Sequence, residues 1–344
     1  MKIKEAVEII CGTSINSPAI GSFSGFATKL EDVKRGFLFF AKNPNEINAA
    51  IKAGAFGIVF DSFVQMEDGE IAWIKVASIE DSIIRLTRYK LLSENIQVFY
   101  VNAYQYAIAQ NIITSDDTAL FDDNPSKLLE LLEKKHPTKI IIKNQTLLDF
   151  VLEYTPCVIL EKLPFDISNP SSLFEPKFYY KLNLYQIPLP EVFLPDLGAV
   201  IEMCVNANIE FNLNNFEVIS SLLPLSLNQE AKILPFGQSP HVAIPTNDKE
   251  IFLRYALIFH KHAKWGKVLF LVPKILQEQN LDLYDLYEAR IGKKLESIQY
   301  NVANELPHLL RSHAYNFGLI FGIGLEGLQF ILNQQKPIPD PTLF

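Results

Sequence analysis

Short apolar runs of strand length, each closed by a turn signal and most followed by a helical repeat, constrain this chain most. Gly36 to Ala41 is a compact apolar run after a charged turn, which predicts a buried strand in which Phe39 alternates with outward-facing neighbours. Glu46 to Ala53 carries Ile47, Ala50 and Ile51 at helical spacing, and Gly54 stands where a helix C-cap needs glycine. Gly57 to Phe60 is the next strand, and Ile71 to Val76 another, after the turn at Asp68-Gly69. Ser78 then caps a helix through Lys90, with Asp81 three residues on. Strand, helix, strand, strand, helix is the order of an α/β domain.

The pattern continues more loosely. Strands are expected at Gln97 to Val101, Lys139 to Lys143 and Cys157 to Leu160. Helices are expected at Ser126 to Lys135, opened by Asn124-Pro125, and at Leu147 to Tyr154. Seven of the 20 prolines then fall between Pro156 and Pro195, which excludes a continuous helix and reads as an extended crossing or linker. Helices follow at Leu197 to Asn206 and at Phe216 to Leu223, the latter capped by Asn214 or Asn215. Val242 to Ile244, Lys267 to Val272 and Phe317 to Phe321 read as strands. Lys249 to Ala263, with Asn247 and Glu250 as a capping box, reads as a helix, as do Leu281 to Arg290, Val302 to His313 with a kink or restart at Pro307, and Leu325 to Leu332. Pro337, Pro339 and Pro341 predict an extended tail.

Composition excludes several functions. With 344 residues, two to three domains are expected at roughly 150 residues each. Apolar residues at 49% and charged residues at 20% describe a folded, core-rich chain. Its net charge of −8 lacks the clustered Lys and Arg that phosphate neutralisation needs, so no nucleic-acid partner is expected. The nearest basic cluster, Lys134-Lys135-His136, has Glu130 and Glu133 beside it and reads as a solvated helix end. No apolar run approaches the ~18 residues of a membrane span. Glu5 and Glu8 interrupt what would be a signal-peptide core, so none is expected. Cys11, Cys157 and Cys204 are odd in number and contain no CxxC, which points to a reducing, cytoplasmic setting.

Local motifs are few. Gly322-Ile323-Gly324-Leu325-Glu326-Gly327 matches GxGxxG after a strand, but too little chain follows to complete a dinucleotide-binding unit. A tight turn with close helix packing is the expectation there. His136, His241, His260, His262, His308 and His313 show no ligand spacing and read as structural or surface residues. The pairs Asp116-Asp117 and Asp122-Asp123 read as solvated loops and helix caps. No metal site, cofactor site or catalytic nucleophile is expected.

Val33-Lys34-Arg35-Gly36-Phe37-Leu38-Phe39-Phe40-Ala41, followed by Ile47, Ala50-Ile51, Gly54-Ala55 and Gly57-Ile58-Val59-Phe60, resembles the uridine-nucleotide domain of the Mur ligases. These are the ATP-dependent enzymes that add amino acids to the peptidoglycan precursor. Leu182 to Leu189, Asp196 to Asn208 and Phe216 to Pro224 resemble the end of that family's central domain. Trp265 to Val272 and Gly318 to Leu332 resemble parts of its C-terminal domain. The type that adds the terminal D-alanyl-D-alanine is nearest. The resemblance implies an α/β, three-part Mur-ligase-like architecture with a reduced central domain. Its parts would be residues 1–93, a shortened 94–235 without the phosphate loop, and 236–344.

The departures from the family are chemical. Where it carries a Gly-rich loop with Gly-Lys-Thr, this chain has Asn102-Ala103-Tyr104-Gln105-Tyr106-Ala107-Ile108-Ala109. That stretch lacks the Gly whose backbone cradles phosphate, the Lys that neutralises it and the Ser or Thr for magnesium. Lys29-Leu30-Glu31 stands at the family's uridine-site triplet Asp-Ser/Thr-Arg, and Pro245-Thr246-Asn247-Asp248 at its Asn-rich C-terminal motif. The expectation is a non-catalytic cytoplasmic protein that binds partners in cell-wall synthesis or division. The alternatives are a divergent ATP-dependent ligase and a nucleotide-sugar binder. Tyr104 and Tyr106 stand where a triphosphate would enter, and at least one is expected to pack into that space.

Overall fold

Four short parallel strands gather the first ninety residues into one sheet. The computed structural model describes residues 1–168, 172–214, 216–274 and 282–334. Its chain divides into two units: Met1–Ile159 with Ala199–Asn212, and Leu160–Gly198 with Leu213 onward.

In the first unit, α1 (Ile3–Ile9) precedes β1 (Thr13–Ser14), β2 (Gly25–Ala27) and β3 (Phe37–Phe40). Then come α2 (Ile47–Lys52), β4 (Gly57–Phe60), β5 (Ala72–Lys75) and α3 (Ile79–Ser93). The sheet order is β1-β5-β4-β3-β2, and only β1 runs antiparallel to its neighbour. Helix α1 was not foreseen from the sequence. Leu38, Phe39 and Phe40 all have zero exposure. Phe39 packs in one core with Ile58 and Trp73, while Leu38 and Phe40 pack in the core on the other face with Ile83 and Leu86. The expected outward-facing neighbours of Phe39 are therefore a correction: a parallel sheet is covered on both faces. Gly54 has φ +99, and a Cβ there would lie 3.0 Å from the Cα of Arg35, so only glycine can end α2 this way.

A second parallel sheet follows: β6 (Gln97–Tyr100), α4 (Ala103–Ile112), β7 (Thr118–Phe121), α5 (Leu128–Lys135), β8 (Lys139–Ile142) and β9 (Thr155–Pro156). Its order is β7-β8-β6-β9. The helix expected over Leu147 to Tyr154 is instead a 3-10 stretch, Gln145–Phe150, started by the Asn144 carboxamide accepting from the Thr146 N–H. The strand expected at Cys157 to Leu160 lies earlier and spans two residues, because Pro156 has no N–H to extend the ladder. The returning segment closes the unit: Ile113 bridges Phe211, Thr114 N–H donates to the Glu210 carbonyl at 3.0 Å, and Asn212 N–H to that of Ile112 at 2.8 Å.

The second unit holds a three-stranded antiparallel sheet, β10 (Asp166–Ile167), β11 (Lys177–Tyr180) and β12 (Asn183–Gln186). This corrects the expected linker: the prolines lie outside its strands, where no ladder N–H is required. Helix α6 (Leu194–Asn206), whose residues from Ala199 on belong to the first unit, starts three residues before the expected Leu197, with Pro195 in its first turn. The helix expected over Phe216 to Leu223 is only a 3-10 turn at Ser220–Leu222, and Asn215 lies outside the described residues. Its apolar residues lead into β13 (Leu225–Leu227), which is buried throughout.

The remaining elements are β14 (Ile233–Leu234), β15 (His241–Thr246), α7 (Lys249–His262), β16 (Val268–Pro273) and α8 (Asp282–Ile291). They are followed by β17 (Ile298–Tyr300), α9 (Leu306–Ser312), β18 (Phe317–Phe321) and α10 (Leu325–Asn333). The six-stranded order is β14-β13-β15-β18-β16-β17. The cap of α7 is Asp248, not Asn247; its carboxylate accepts from the N–H groups of Glu250 and Ile251. Thr246 fixes this register by accepting the Asp248 N–H at 3.0 Å. Pro307 sits in the first turn of α9, a restart after the 3-10 turn Ala303–Glu305. The expected helix start at Leu281 and the tail with Pro337, Pro339 and Pro341 lie outside the described residues.

Candidate functional site

In open parallel sheets, ligands sit beyond the strand C-termini where neighbouring strands send their connections opposite ways. In the order β7-β8-β6-β9, β6 connects through α4 to β7 on one side, and β8 connects to β9 on the other. The crevice between the ends of β6 and β8 is thus the place to look for a site in the first unit. It is also where the sequence lacks a phosphate loop.

Only Val101 and Asn102 separate β6 from α4. The Asn102 carboxamide oxygen accepts the Gln105 N–H at 2.8 Å, and the Gln105 side-chain oxygen accepts the Asn102 N–H at 3.0 Å. This reciprocal capping box fixes the turn. The Gln105 amide then donates to the Cys157 carbonyl at 3.2 Å, tying the end of β6 to the end of β9. Gln105 is 2% exposed, so this amide is a buried polar group, held by Asn102 within the turn and by Cys157 beyond β9. A glycine-rich loop would instead leave its N–H groups open to an anion.

Tyr106 is buried and Tyr104 half-buried. The Lys143 ammonium lies 4.9 Å from the centre of the Tyr106 ring and 2.7 Å from the Asp122 carboxylate. Burial, and secondarily the negative charge of Asp122, push the Tyr106 hydroxyl up to about 12. Lys143, which follows β8, therefore serves a carboxylate and an aromatic face. Gln105 and Lys143 did not emerge from the sequence reading. The spacing Asn102-x-x-Gln105 was the available signal, because it matches a capping box.

Lys29-Leu30-Glu31 also serves structure. Lys29 pairs with Glu130 at 2.8 Å, and Thr28 donates to Glu130 at 2.6 Å. Asp32 pairs with Lys134 at 2.8 Å. Glu133 accepts the Phe26 N–H and the ammonium of Lys90. Burial opposes the charge of Lys90, yet Glu133 and Glu94 outweigh it and hold the ammonium above the ordinary lysine range. These contacts seat α5 against β2, leaving beside it a hollow of about 240 Å³ lined by Phe26, Asp32, Lys34 and Glu133. Lys134 is thus part of this seam, and His136 ends α5 in a left-handed conformation.

The other motifs are placed separately. Gly322 has φ +89, and a Cβ there would lie 2.7 Å from Pro273 and 3.1 Å from the Tyr300 hydroxyl, so the GxGxxG segment is a tight turn. Pro245 and Thr246 end β15, where Asp248 caps α7. Asp117 accepts from Lys139 at 2.7 Å and from Thr138 at 2.6 Å; the Lys139 hydrogen bond above all holds its carboxyl well below the usual range. Asp123 accepts from the Asn124 N–H and pairs with Lys127. His262 pairs with Glu191 at 2.9 Å, and ring nitrogens of His241 and His313 meet the carbonyls of Tyr315 and Leu309. His260 and His308 are exposed on helices. Among the described residues no group of three or more His, Cys, Asp or Glu is placed to hold a metal. Cys11 is exposed and Cys204 buried, its thiol pushed up to about 12 by burial. Among the described residues no helix is long and apolar enough to cross a membrane.

No protein-family model and no curated protein matches the sequence. In structure the chain is similar to MurF ligase from Thermotoga maritima, solved with ADP, at 12% identity and TM-score 0.45 over 91% of this chain and 98% of that one. It is similar to MurF from Acinetobacter baumannii at 12% identity and TM-score 0.48, over 96% of this chain and 97% of that one. It is also similar to a UDP-N-acetylmuramoyl-L-alanyl-D-glutamate–2,6-diaminopimelate ligase at 10% identity and TM-score 0.37, over 88% and 90% of the two chains.

Proposed function

We propose that this chain is a non-catalytic protein on a Mur-ligase-like scaffold, with parts at residues 1–93, 94–235 and 236–344, that works by binding. Its partners in this reading are proteins of peptidoglycan synthesis or cell division in the cytoplasm. The observation that carries the reading is the junction after β6. There Asn102 and Gln105 satisfy each other and Tyr106 is buried, where nucleotide chemistry would need Gly, Lys and Ser or Thr. The tie from Lys29 to Glu130 adds support, since the one cation at the uridine-site position is engaged with α5, beside the neighbouring Thr28.

Calorimetry with ATP and magnesium at millimolar concentration tests it. No binding heat is expected. A micromolar dissociation constant overturns the reading in favour of a divergent ligase. Saturable binding of a uridine nucleotide sugar without ATP binding favours a precursor-binding protein instead.

A further inference from the structure

Strand β12 is the one long sheet edge of the described residues that lies open to solvent. The other edges are short or covered. β1, β9, β10 and β14 have two residues each, and β9 includes Pro156. β2 is buried, and Glu133 accepts its Phe26 N–H; β7 is largely buried; β17 is half-buried. β12 has four residues, Asn183, Leu184, Tyr185 and Gln186, of which all but Tyr185 are exposed. It contains no charge, no proline and no bulge, the devices that normally keep such an edge from pairing.

The register shows what this edge would fit. Tyr179 lies opposite Leu184, and Lys177 opposite Gln186. The hairpin has a two-residue turn, Lys181-Leu182. The pair beside such a turn exchanges main-chain hydrogen bonds and the next pair does not, so Leu184 and Gln186 direct their N–H and C=O groups away from β11. Tyr179 and Leu184, 48% and 53% exposed, form an apolar pair on the outer face that reaches the edge, with Asp166 beyond Tyr179 on β10. The turn itself is costly. Lys181 and Leu182 hold φ of +46 and +67, a region that favours Asn or Gly, and Leu182 is 99% exposed.

We propose that β12 pairs antiparallel with β12 of a second copy, about a two-fold axis at Leu184. Only such a register keeps outer faces together and sets Leu184 opposite Leu184 as a hydrogen-bonded pair. The pair then continues as Tyr179, Leu184, Leu184 and Tyr179 within a six-stranded sheet. Leu182 comes opposite Gln186 of the second copy, which gives the strained turn residue a surface to cover. No like charges meet, because β12 carries none. An isologous contact of this kind closes on itself at the dimer.

Sedimentation velocity over a wide concentration range should show a mass that rises from one copy to two. Leu184→Lys should hold the protein monomeric at every concentration with the melting temperature of the dilute, monomeric parent. Leu152→Lys, at an exposed leucine of the first unit, should dimerise like the parent. For the register, Leu184→Cys on a Cys11→Ser background should form an interchain disulfide with a mild oxidant, and Lys177→Cys should not. A parent chain that stays monomeric at the highest concentration overturns the proposal, as does a dimer that survives Leu184→Lys. If Leu184→Lys melts below the dilute parent, the cysteine pair decides: no disulfide at 184 overturns the proposal.

Discussion

Phe39 and Tyr106 show how one residue can carry either the fold or the fate of a site. Phe39 has zero exposure between Ile58 and Trp73, so Phe39→Ala should cost about 3–5 kcal/mol, read from urea denaturation. An unchanged midpoint would mean that the β3 core is not as described. Tyr106, Tyr300 and Tyr315 are raised by burial from 10.0 to about 12, and Cys204 from 9.0 to about 12. Each folded-state value lies above the unfolded one. The corresponding stability is complete below the unfolded values and is lost as pH climbs from 9.0 toward about 12. Urea midpoints should therefore fall steeply over that alkaline window. Tyr106→Phe should flatten the fall while leaving neutral stability nearly unchanged, and an identical slope would contradict the burial of its hydroxyl.

At the scale of the element, caps and seams decide where helices begin. Asn102→Ala removes one half of the α4 box and should cost about 0.5–2 kcal/mol in chemical denaturation. Glu133→Ala removes a charged acceptor from Lys90, whose side chain is 9% exposed, and should cost about 1.5–3 kcal/mol by the same measurement. The Asn102 box is local in sequence and the Glu133 pair is not, and that difference decides what the sequence could reveal. β3, β4 and β18 were legible because each is an unbroken apolar run closed by Gly or a charged turn, and α3 because its helical period starts at the Ser78 cap. The strands β11 and β12 were not, because prolines around them suggested a linker although none lies within them. Phe216 to Leu223 misled for the opposite reason: its apolar spacing fitted a helix, while the burial belongs to β13. In the candidate site, the missing glycines were visible. The stapling of Gln105 to Cys157 was not, since it joins two strands far apart in the chain.

At the scale of the molecule, the chain leaves its first unit at Ile159 and comes back to it at Ala199. A fragment ending at Ile159 lacks the Phe211 bridge and both main-chain bonds near Ile112 and Thr114. It should melt earlier and less cooperatively than one extended to Asn212, as circular dichroism would record; equal melting would show the return segment to be dispensable. The same detour orders events during synthesis. At roughly 5–20 residues per second, the last piece of the first unit leaves the ribosome seconds after the rest of it. Meanwhile the intervening β10 to β12 hairpins, whose pairings are all local, are free to form first. The polypeptide that looks N-terminal on paper is thus not the first part to be finished, and a chaperone meeting the nascent chain would find it waiting for its own later sequence.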